Sequence, residues 1–68
     1  MVITVQCKAR HWSVLHPQAH DAIGYAHGAD AFDAAAALAL EHHRRTGQPS
    51  TVRVEALGST VDALHVGD

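Results

Sequence analysis

The chain is poor in the residues that usually staple or fill a domain of its size. Its 68 residues include one cysteine, one tryptophan, one tyrosine and one phenylalanine. A lone Cys7 excludes an internal disulfide and any Cys-x-x-Cys metal or redox motif, and it reads as a small core residue. Hydrophobic residues make up 47% of the chain, but many are alanine, so the core they can build is thin. A chain this short gains from covering apolar surface with a second copy or a partner. Basic residues are also few: five Lys and Arg against seven Asp and Glu give a net charge of −2 with histidine neutral. That excludes the broad basic field of a general phosphate binder. No apolar run is long enough for a membrane span or a signal-peptide core. The expectation is one cytoplasmic domain over residues 1–68, with no membrane partner.

Catalytic patterns are missing as well. Ser13, Ser50 and Ser59 lack a nucleophile-elbow context. The carboxylates Asp30, Asp33, Glu41, Glu55 and Asp62 are scattered rather than paired, and no glycine-rich phosphate loop occurs. The chain is therefore expected to be non-enzymatic and to need no cofactor.

What is present is a clear order of elements. Residues 2 to 8 alternate, with Ile3, Val5 and Cys7 on one side and Thr4, Gln6 and Lys8 on the other. After a turn near Ala9 to His11 a second strand follows, with Trp12 and Val14 on one side, and Pro17 ends it. Ala22, Ile23 and Tyr25 suit a short third strand, with Gly24 as a weak point or bulge and Gly28 as the exit. Asp30 is the expected N-cap of an alanine-rich helix from Ala31, with Gly47 closing it and Pro49 preventing continuation. On a helical wheel Phe32, Ala35, Ala36, Ala39, Leu40 and His43 share a face. "TVRVEA" and "TVDALHV" then form a hairpin. A turn centred on Gly58-Ser59 places Val54 opposite Ala63 and Glu55 against Asp62, unless Arg53 or a bulge relieves that clash. The fold class is α+β: a small antiparallel sheet, β-β-(β)-α-β-β, with one helix across one face.

Seven histidines are the other surplus. They gain charge below about pH 6, which would make any surface they share sensitive to pH. His16, His20 and His27 are the weak candidates for a metal site, but Pro17 opposes the helix on which a His-x-x-x-His pair would converge. Polar loop histidines are the simpler reading, and no metal is expected. His42, His43, Arg44 and Arg45 complement the negative end of the helix dipole. His42, Arg44 and Arg45 could also form a small basic edge for an acidic partner.

Two resemblances follow from these pieces. Trp12-Ser13-Val14, Phe32 to Ala39, Gly47, Val52-Arg53-Val54 and Gly58 resemble the pattern of a short uncharacterised domain family of bacteria and phages, over nearly the whole chain. "AHGADAFDAAAALALEHH" is similar to the strand-to-helix passage of HicB-type antitoxin domains, a likeness that covers residues 1–46. The proline-glycine segment of that family before its third strand is replaced here by "HPQAHDAIG". The second resemblance implies neutralisation of a small toxin by binding, without catalysis.

The functional expectation is a small macromolecule-binding protein, a protein-interaction module or inhibitor of phage or mobile-element type, with a homodimer as one possible state. The alternatives are the antitoxin and a nucleic-acid module using the helix-terminal basic edge. The binding surfaces expected are an edge strand and the sheet face away from the helix, bearing Thr4, Gln6, Arg53, Leu57, Leu64 and Leu15. Trp12 joins the candidate binding residues.

Overall fold

A computed structural model describes residues 1–17, 21–56 and 58–67. The elements are β1 (Val2–Lys8), β2 (His11–Leu15), β3 (Ile23–Tyr25), α1 (Gly28–Thr46), β4 (Ser50–Ala56) and β5 (Ser59–Val66). Five strands make one sheet in the order β3-β2-β1-β4-β5, and α1 packs across one face of it. The α+β class and the expected element order hold.

One feature of the sheet differs. Three neighbouring pairs are antiparallel, but β1 and β4 run parallel at its centre. β4 follows a helix that recrosses the sheet, so it enters in the direction of β1, as a crossover connection requires. The sheet is mixed rather than antiparallel.

The first hairpin closes through Ala9 and Arg10, both with left-handed backbone (φ 49° and 66°). Two positive φ values in a two-residue loop match the twist of the flanking strands, although glycine or asparagine usually occupies those places. β3 pairs regularly with β2, Gly24 opposite Ser13, so Gly24 makes no bulge. The His11 ring lies over Gly24: a Cβ added there would come within 2.7 Å of His11 Nε2.

α1 begins earlier than the sequence suggests. His27, with extended backbone, holds the N-cap position without a side-chain cap bond, and Asp30 sits in the first turn. Gly28 is thus the first helical residue, not a loop exit. An uncapped start favours a carboxylate in that turn through the helix dipole, the contribution left to Asp30. The other end is as expected: Gly47 takes the left-handed conformation (φ 73°) and its N–H donates to His43 O.

The core consists of Ile3, Val5, Val14 and Val52 from the sheet against Ala31, Ala35 and Ala39 from the helix, all buried. Burying each branched side chain contributes about 1.5–3 kcal/mol. Three alanines in a row let the helix backbone approach the sheet closely. The buried face is therefore rotated from the wheel expectation. Leu40 is half exposed, and Phe32, Ala36 and His43 are only half buried. A nearly all-alanine helix is apolar on most sides, so its wheel cannot single out the face that the sheet selects.

Candidate protein interface

The side chains facing away from the helix belong to Val2, Thr4 and Gln6 of β1, Ser13 and Leu15 of β2, and Thr51, Arg53 and Glu55 of β4, by strand alternation from the buried Ile3, Val14 and Val52. This surface is mainly polar and satisfies itself across strands. Gln6 Nε2 donates to Glu55 Oε1 at 3.1 Å, Arg53 Nε to Asp62 Oδ1 at 2.8 Å, and Thr51 Oγ1 lies 2.9 Å from His65 Nδ1. The hydrogen bond donated to Asp62, then the Asp62 charge, holds the Arg53 proton more firmly than usual. A raised cation pKa stabilises the fold below the ordinary arginine value and is lost as pH rises through the raised one. The pair therefore acts unchanged through the neutral range.

Of the expected outer-face residues, Thr4, Gln6, Leu15 and Arg53 are on that face. Leu64 is not: it stands opposite Val52 and packs against the core on the helix side. The cause is the β4–β5 register. Ala56 pairs with Ser59, so the hairpin closes one residue earlier than a turn centred on Gly58-Ser59, and Val54 faces Val61. A register shift at Val52/Arg53 then leaves Ala63 as an extra, bulged residue of β5 and turns Leu64 inward. The same register brings Arg53 opposite Asp62 and replaces the expected Glu55–Asp62 clash by Glu55 against Thr60. Leu57 lies outside the described residues.

Trp12 faces the helix, half buried against the core, opposite Cys7 and Tyr25. Its place makes it a packing residue of the helix start. Cys7 is half buried rather than fully in the core.

The basic residues of the helix end make local contacts. Arg44 lies 3.8 Å from Glu41 with both side chains exposed, a pairing of small energetic weight. Thr46 Oγ1 donates to His42 O, and His43 Nδ1 lies 3.0 Å from Gln48 O, so these groups terminate the helix. Arg45 is exposed. Of the metal candidates, His27 precedes the helix, His16 follows β2, and His20 lies outside the described residues. Among the described residues no three His, Cys, Asp or Glu side chains are placed to share a metal. No described helix is long and apolar enough to cross a membrane.

A shallow, open concavity of about 290 Å³ lies where β1 ends beside the β4–β5 hairpin, lined by Gln6, Cys7, Lys8, Glu55 and Thr60 among others. Enclosed ligand sites bury most of their ligand, which a concavity this open does not do.

The remaining feature is the sheet edge. β3, one edge, has three residues; β5, the other, has eight and carries Val61, 59% exposed. A strand of that length with one side unpaired offers a row of backbone donors and acceptors to another chain. Sequence reasoning named an edge strand but not which one, because strand order is invisible in local patterning. Compared with family models, curated proteins and solved structures, this chain matches none of them.

Proposed function

We propose that the protein is a non-enzymatic interaction module that binds a protein by strand addition at the β5 edge, in the manner of short inhibitors or modulators carried by phages and mobile elements. The observation that carries this reading is the eight-residue open edge with exposed Val61 beside it. Main-chain bonding along such an edge supplies affinity, and alternate side chains supply specificity. The net charge of −2 and the lack of a basic field beyond the helix end weigh against a nucleic-acid module.

A second reading has one observation of its own. The order β1-β2-β3-α1-β4 is the order that the HicB-type resemblance implies, which would make the partner a small toxin. Fold likeness alone does not carry function, so this remains the narrower alternative.

The test is capture from host lysate at about 0.15 M salt, where the screening length is near 8 Å. Wild type is compared with Val61→Lys and with Arg44→Ala/Arg45→Ala. Capture of one protein in near-stoichiometric amount, lost with Val61→Lys and kept with the arginine variant, is the expected result. Capture of nucleic acid alone, lost with the arginine variant, would replace this reading by the basic-edge one.

A further inference from the structure

The backbone of β5 specifies how its open edge can be filled. Thr51 donates its N–H to Met1 O at 2.8 Å, so the Thr51 backbone faces β1. Successive residues of a strand direct their backbone groups to opposite neighbours. Arg53 therefore faces β1 too, while Val52 and Val54 face β5. Val52 and Val54 stand opposite Leu64 and Val61; Thr51 and Arg53 stand opposite His65 and Asp62. Leu64 and Val61 are thus turned toward β4, and the N–H and C=O groups of Thr60, Asp62 and His65 are aimed at the open edge. The bulge lets Asp62 and His65, three apart in sequence, point the same way with both side chains on the outer face.

We propose that the β5 edge pairs with the β5 edge of a second copy of this chain, antiparallel about a twofold axis between Ala63 and Leu64. This rests on β5 being the working edge and makes the second copy a competitor of the protein partner for it. A twofold register must keep side chains of each face together, and two registers do so along most of the strand. An axis between Asp62 and Ala63 pairs Thr60 with His65 and Val61 with Leu64 but sets the Asp62 carboxylate against Ala63, with no polar partner. An axis between Ala63 and Leu64 sets Asp62 opposite the partner's His65, and the reverse, so a carboxylate acceptor meets an imidazole twice. In that register the outward backbones of Asp62 and His65 also coincide and exchange hydrogen bonds. On the outer face the pairs Thr51–His65 and Arg53–Asp62 join into two symmetry-related cross-strand rows through both copies. On the helix side Val61 is covered by the partner's Val66. A bulge often protects an edge from pairing; here it brings Asp62 and His65 into self-complementary register.

The experiment is sedimentation equilibrium of the purified full chain from micromolar to millimolar concentration. The expected result is a reversible species of twice the 7.2 kDa chain mass. Val61→Lys, at an exposed position, should keep the circular dichroism spectrum and raise the dissociation constant about tenfold or more, since at each end of the paired stretch a lysine replaces the valine that packs on the partner's Val66. Register is read by oxidation in a Cys7→Ser background. Val61→Cys with Val66→Cys should give interchain disulfides, because facing non-hydrogen-bonded residues bring their Cα atoms within about 4.5 Å. Val61→Cys with Leu64→Cys should not. A dimer indifferent to Val61→Lys, or cross-linking of the second pair instead of the first, overturns the proposal. A monomer at every concentration also overturns it; if that monomer still captures another protein through β5, the interaction-module reading stands without it.

Discussion

The Trp12 indole lies over Gly28 so closely that a Cβ added to the glycine would stand 2.8 Å from Trp12 Cζ2. Trp12 belongs to β2 and Gly28 opens α1, so this contact seats the uncapped helix start on the sheet. Gly28→Ala gains little helix propensity at a terminal position and forces the ring to move. We expect a loss of about 1–2 kcal/mol from overpacking, which in a domain of this size lowers Tm by roughly 4–8 °C per kcal/mol. The single tryptophan makes fluorescence the direct readout, and an unchanged emission maximum and Tm would show that the ring is not held there.

Ser50 is 1% exposed, and its Oγ has no hydrogen-bond partner among the described residues. A buried hydroxyl without a partner costs about 1–3 kcal/mol of desolvation. Ser50→Ala removes the hydroxyl and little volume, so we expect stability to rise by about 1 kcal/mol in urea denaturation. A loss of stability would reveal a partner for the hydroxyl.

Ala9 and Arg10 hold left-handed backbone that non-glycine residues adopt at a cost of about 1–2 kcal/mol each. Ala9→Asn with Arg10→Gly supplies the Asn-Gly pair that this turn prefers. Chemical denaturation should show a gain of about 1 kcal/mol or more, with an unchanged m-value because the exposed surface on unfolding is the same.

The helix face can be tested by contrast. Ala35 is fully buried, and Leu40 is half exposed. Ala35→Leu adds bulk where helix and sheet approach closely and should cost about 1–3 kcal/mol. Leu40→Lys, at a helix-favouring exposed position, should stay within about 0.5 kcal/mol of wild type. Equal losses, or the reverse order, would mean that the helix packs on the face its hydrophobic wheel suggests.

Local chemistry made much of this fold legible. Alternation in residues 2 to 8 marked β1, the alanine run marked α1, and Gly47 with Pro49 marked its end, because each rule acts over a few neighbouring residues. The candidate site was less legible. Arg53 was correctly placed on the outer face, but Leu64 was not, since a single unpaired residue at Ala63 reverses every side chain beyond it. By sequence Trp12 is a candidate binding residue; Gly28, sixteen positions later, gives it a packing role that no local pattern records.

By itself, then, the sequence determined the kinds of element and their order along the chain, and its charge and composition excluded a basic field and a disulfide framework. Tertiary structure alone decided the rest: the parallel β1–β4 centre, the alanine face that α1 buries, and the outward aim of Asp62 and His65. These depend on contacts between residues far apart in the chain. A helix apolar on most sides and a strand with a bulge each have several locally acceptable arrangements, and only close packing against Ile3, Val5, Val14 and Val52 selects one.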